Sequence, residues 1–176
     1  MKGSERKEQV SLPPCPNPTC PGPHVVRNGS HRGRQRYRSP FLGKSSPVHL
    51  FWGSFDLAVT LFSGRRAPER PGANRMMREA MSHEEISCGF WPGDERFPTP
   101  AFYAYTAPEP PGLASAALRP QEAFFSPEMG EFLLLYDDVR KASSPEQVLL
   151  EFFQSTYEAG ATLAHWDREA LERRAG

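Results

Sequence analysis

The sequence predicts an α+β fold, a mainly antiparallel sheet of about four strands with a C-terminal amphipathic helix packed on it, preceded by a basic, largely disordered arm over residues 1–40. Three observations carry this. Apolar residues alternate with a period of two from His49 to Ser63, and they recur at helical spacing after Ser144. Charge is split as well: residues 1–44 sum to +7 and residues 45–176 to −7, although the whole chain is neutral. A chain of 176 residues suits one domain with a tail over residues 41–174, and its 19 prolines and 14 glycines against 38% apolar residues favour long loops over a helical bundle.

The elements follow in chain order. Residues 1–24 are too rich in proline and charge to bury a core. Arg27 to Arg38 holds five arginines around Asn28-Gly29 and reads as a solvated basic arm. From His49 to Ser63, Phe51, Phe55, Leu57, Val59 and Leu61 share the core face of one strand, while Trp52, Ser54, Asp56 and Thr60 point away. Met76, Met77, Ala80 and Met81 space a short helix over 74–81. Ile86 to Trp91 and Ala101 to Thr106 are apolar strands ended by Pro92-Gly93 and by Pro108, Pro110 and Pro111. Ser126-Pro127 with Gly130 suggests a one-turn helix, and Glu131 to Tyr136 a strand. Ser144 begins the main helix with Pro145 at its first position and Gln147 closing a capping box, and its buried stripe is Leu149, Phe152, Phe153, Thr156, Tyr157, Gly160 and Leu163. Asp167 caps a last short helix running to Arg173.

No run of 18 or more apolar residues is present, and Met1 to Val10 lacks the apolar stretch of a signal peptide. With three cysteines at spacings unlike a disulfide framework, the expectation is a cytoplasmic protein without membrane contact. Walker loops, dinucleotide glycine motifs, HExxH and nucleophile elbows are all lacking, which removes the commonest nucleotide and zinc-hydrolase readings.

The candidate chemistry lies inside the apolar motifs. His49, Asp56, His83 and Glu84 are the grouping expected to act as base, orienting carboxylate or metal ligands, provided they converge. Their structural alternative is a strand-start hydrogen bond for His49, a turn cap or ion pair for Asp56, and a solvated loop at His83. Trp52, Trp91, Tyr103 and Tyr105, with Arg65, are candidates to line a small-molecule pocket, and the face shared by Trp52 and Asp56 is where a cleft is expected unless the helix covers it. Cys88 lies between Ile86 and Phe90 and reads as a buried structural thiol.

The runs FLGKSSPVHLFWGSFDLAVTLFSGRRAP, SHEEISCGFWPG, AFYAYTAPEPPG, GEFLLLYDDVR and LLEFFQSTYEAGATLAHWD resemble, in order, the bacterial family called domain of unknown function 5996. The resemblance covers the C-terminal part of that family's pattern and implies a truncated N-terminal side; Leu61 stands where the family usually shows an arginine. Before Ser39, CPNPTCPGPHVVRNGSHRGRQRYR resembles the first half of an insertion-sequence transposase zinc ribbon. Structural zinc takes four Cys or His ligands, and Cys15 with Cys20 supplies half; His24 and His31 would have to improvise the rest, so zinc is not the expected cofactor. Three readings follow: a small-ligand-binding or enzymatic domain truncated at its N-terminal side, a module contacting nucleic acid without sequence preference through Arg27, Arg32, Arg34, Arg36 and Arg38, and a non-functional fusion fragment. An exposed sheet edge from His49 to Ser63 would invite self-association.

Overall fold

A computed structural model of the chain describes residues 36–69, 71–72 and 74–173. It is α+β. Six strands, β1 (His49–Phe51), β2 (Asp56–Arg66), β3 (His83–Trp91), β4 (Ala101–Ala107), β5 (Phe124–Ser126) and β6 (Glu131–Leu135), form one sheet in the order β1-β2-β3-β4-β6-β5, and every neighbouring pair is antiparallel. The helices with both ends among the described residues are α1 (Arg75–Ala80), α2 (Tyr136–Lys141), α3 (Pro145–Leu163) and α4 (Arg168–Leu171), besides a 3-10 turn at Leu113–Ser115.

The two strands beyond the expected four have local causes. The segment His49 to Ser63 is a hairpin, because the chain turns through Trp52-Gly53-Ser54-Phe55, with Phe55 in the left-handed region at φ 56. Counting by twos across that turn put Phe51 and Phe55 in the core; both are exposed, while Val59 and Leu61 beyond it are buried as expected. The other addition, β5, is a three-residue strip between Pro120 and Pro127, where no strand was expected. Ser126 to Gly130 is a turn, not a helix, closed by the Gly130 amide on the Ser126 carbonyl at 2.8 Å.

Helix α3 carries the main core. Leu149, Phe152, Phe153, Thr156, Tyr157 and Gly160 are buried against Val59, Leu61, Ile86, Cys88, Phe102, Ala104, Phe132 and Leu134. Leu163 is only partly buried. Burial of a large side chain of this kind stabilises by roughly 1.5–3 kcal/mol, so this layer dominates the fold. Gly160 sets the distance of approach, since a Cβ there would collide with the Thr106 hydroxyl of β4. Pro145 opens the helix, but the expected capping box is not made: the Ser144 side chain caps nothing, and the Gln147 amide donates to Glu151 at 3.1 Å. Asn74 and Asp167 do cap α1 and α4, accepting from the amides of Met77 at 2.8 Å and Ala170 at 3.1 Å. Helix α1 buries no residue, and Met76 is 71% exposed. Helix α2 leaves β6 directly, with Asp137 and Asp138 in its first turn and Arg140 and Lys141 in its last, as the helix dipole favours.

Residues 37–46 pack on the domain. Tyr37, assigned to the solvated arm, is buried, with its ring 5.6 Å from Phe153 and 6.2 Å from Tyr157. Phe41 bridges to Glu172, and the Leu42 amide donates to the Leu171 carbonyl at 2.7 Å. Lys44 to Ser46 then lies along β2: the Phe62 amide donates to Lys44 at 3.0 Å, and Ser46 to Thr60 at 2.8 Å. The edge of β2 is therefore covered from Asp56 to Phe62, and the outer edge moves to the short β1. Residues 1–35, with the zinc-ribbon reading, lie outside the described residues. Among the described residues no helix is long and apolar enough to cross a membrane.

Candidate functional site

The site builds from the face of the sheet opposite α3. Strand alternation sends Asp56, Ala58 and Thr60 of β2, Glu85, Ser87, Gly89 and Trp91 of β3, Ala101, Tyr103 and Tyr105 of β4, and Glu131, Leu133 and Leu135 of β6 to this side. Its inner positions are small, and its two tyrosines lie down over them. Gly89 is opposite Tyr103, and a Cβ on it would stand 2.6 Å from the Leu57 carbonyl and 2.8 Å from the Tyr103 ring. The missing side chain lets Tyr103 cross β3 and donate to Asp56 Oδ2 at 2.5 Å. Tyr105, stacked parallel to Tyr103 at 6.3 Å, donates in the same way to Glu85 Oε1 at 3.1 Å.

Burial sets the electrostatics. It pushes both tyrosine hydroxyls above their ordinary range, helped by Asp56 at Tyr103 and by Glu85 at Tyr105, so both stay protonated and donate. Asp56 also accepts from the Ser54 hydroxyl in the hairpin turn. Thr60 and Ser87 share a hydroxyl hydrogen bond at 3.0 Å. Glu131 is different. Burial, with the Asp56 charge second, pushes its carboxyl up to about 7, and among the described residues no side chain hydrogen-bonds or ion-pairs with it. Beyond Glu85 the same side carries Phe62, with the Lys44 ammonium 5.4 Å over its ring, and Arg66, paired with His83. The margin is aromatic: Trp91 stacks on Phe97 at 6.1 Å, in a loop fastened by Asp94, which accepts from the amides of Arg96 and Phe97.

The structure brings Asp56, Trp91, Tyr103 and Tyr105 together on the face where the alternation placed a cleft, and α3 covers the other side. The catalytic grouping does not assemble. His83 pairs with Arg66 at the far end of β2 from Asp56, a separation of roughly 30 Å at ~3.3 Å per residue. His49 shares the face and lies diagonal to Asp56, but its ring packs edge-on against Phe51 at 4.8 Å. Glu84 and Arg65 are occupied elsewhere. The Arg65 guanidinium pairs with Glu84 at 2.7 Å and donates to the carbonyls of Ala164 at 2.6 Å and His165 at 2.9 Å, closing the C-terminus of α3. Trp52 sits on the hairpin tip, 73% exposed.

Of the basic residues, Arg36 pairs with Glu146 at 2.9 Å and Arg38 is partly exposed, while Arg27, Arg32 and Arg34 lie outside the described residues. So do Cys15, Cys20, His24 and His31. Among the described residues no group of three or more His, Cys, Asp or Glu side chains could hold a metal ion. Sequence reasoning missed Glu85 and Glu131 as members of the face. Glu85 shares the parity of Ser87, Gly89 and Trp91, so the alternation that assigned Ile86, Cys88 and Phe90 to the core already assigned it to the other side. Nothing comparable marked Glu131, which joins the group only through the pairing of β4 with β6.

No curated protein and no solved structure gave a match to the chain. The sequence pattern of one family matches residues 24–173, taking in Tyr37 and the whole sheet, and the chain belongs to that family, the family of unknown function DUF5996.

Proposed function

We propose that the domain binds a small ligand on the tyrosine-carboxylate face, and that the ligand presents hydrogen-bond donors, as an amine or a polyhydroxyl compound does. One observation carries the reading: carboxylate acceptors converge there among aromatic rings. Asp56, Glu85 and Glu131 stand among stacked tyrosines and Trp91. Aromatic walls with a few placed polar groups are the usual make-up of a small-molecule site. Tyr103 holds Asp56 in one orientation, so the carboxylate's remaining acceptor capacity is aimed before a ligand arrives. The scatter of His49, His83 and Glu84 favours binding over acid-base catalysis by that group.

Calorimetric titration with a panel of amines and polyols tests the reading. Asp56→Asn is expected to weaken the best binder by roughly tenfold or more, since a hydrogen bond to a charged group contributes about 1.5–3 kcal/mol. Tyr103→Phe should weaken it less. Binding that ignores both substitutions would exclude this face as the site.

A further inference from the structure

We infer that two copies of this chain pair through the outer edge of β1, forming a weak, reversible two-fold dimer with one continuous sheet. The hairpin is where the surface is least like that of a protected monomer. Phe51 is 49% exposed, Trp52 73% and Phe55 62%, with the Trp52 and Phe55 rings packed against each other at 6.1 Å. From Val48 to Phe55 no residue is charged, although edge strands are commonly blunted by lysine or another charge against unwanted pairing. The opposite edge has that protection: β5 is followed by Pro127 and Glu128.

The β1 edge is self-complementary. An antiparallel contact centred on Leu50 sets His49 of one copy beside Phe51 of the other, twice, and aromatic cross-strand pairs are among the favourable ones. His49 and Phe51 already make such an edge-on contact within the chain. Pro47, which has no amide hydrogen to donate, stops the pairing just before His49 and keeps it short. Area sets the strength. At roughly 150–250 Å² per aromatic side chain, the three rings leave on the order of 400 Å² exposed per copy. Two copies would bury about 800 Å² from these rings, against roughly 1,200 Å² at the low end of stable complexes, so the dimer exchanges with monomer. Both copies then present their Asp56 faces on the same side of the joined sheet. The inference stands whether or not that face binds a ligand.

Sedimentation velocity on the full chain over a concentration series tests it. The expected result is a monomer-dimer equilibrium whose association constant falls roughly tenfold or more in Phe51→Lys and in Trp52→Ser, with melting unchanged. Met76→Lys, an equally exposed apolar site on α1, should leave it intact. Hydrogen exchange at the β1 amides should slow as concentration rises. A chain that stays monomeric at every concentration, a dimer that survives both hairpin substitutions, or growth beyond two copies would each overturn the proposal.

Discussion

The two faces of the sheet are buried by different means. Under α3, large apolar side chains from helix and strands interlock, and the close approach at Gly160 leaves no space for another methyl group. On the opposite face small residues form the floor, and tyrosines laid flat over them are tied to carboxylates. The first arrangement gains its stability from removing apolar surface from water. The second keeps charged groups in a poorly hydrated place, which stabilises less and prepares more for recognition. The difference separates the part of the domain that holds it folded from the part suited to act.

Substitutions can sharpen that division, beginning with the largest effect. Phe153→Ala, at a fully buried position under α3, should destabilise by about 3–5 kcal/mol in urea unfolding. A loss under about 1 kcal/mol would mean that the helix layer is not the dominant core. On the other face, Gly89→Ala should cost about 1–3 kcal/mol, because the new methyl meets a backbone carbonyl that cannot yield and displaces the Tyr103 ring. It should also loosen any ligand bound beside Asp56, an effect that Phe153→Ala lacks at temperatures where both remain folded.

The pH dependence of stability separates the faces further. Glu131 titrates at about 7 when folded and near 4.5 in the unfolded chain. Below about 4.5 it is neutral in both states. As pH rises toward 7 the unfolded chain ionises first, so the contribution of this group to stability falls across that window and then levels off. At roughly 1.4 kcal/mol per pKa unit, reduced for its partial exposure, the fall is about 1–3 kcal/mol. Glu131→Gln should flatten that part of the profile in melts between pH 4 and 8, while an unchanged slope would remove Glu131 as its source. The smallest effect is expected at Arg65→Ala, about 0.5–1.5 kcal/mol by chemical denaturation, because the guanidinium closing the end of α3 is half exposed. It should leave binding at the Asp56 face unchanged, and loss of binding would mean that Arg65 belongs to the site after all.

Local pattern was enough for much of this molecule. Alternation identified β3 and β4 and assigned Cys88, Val59 and Leu61 to the core face, and helical spacing located α3 and its buried stripe, because period and propensity act within a few residues of the chain. The same pattern chose the correct face for Asp56, Tyr103 and Tyr105. It failed at Phe55, where one left-handed residue turned the chain and reversed the count, and at Tyr37, whose burial depends on Phe153 and Tyr157 more than a hundred residues away. Only the tertiary structure decided which candidate residues meet. Antiparallel pairing over eleven residues of β2 carries His83 away from Asp56, while the register of β3, β4 and β6 gathers Glu85 and Glu131 toward the tyrosines. A strand's period specifies the side to which a residue points, and the neighbour it finds there is set by register, which residues distant in sequence determine together.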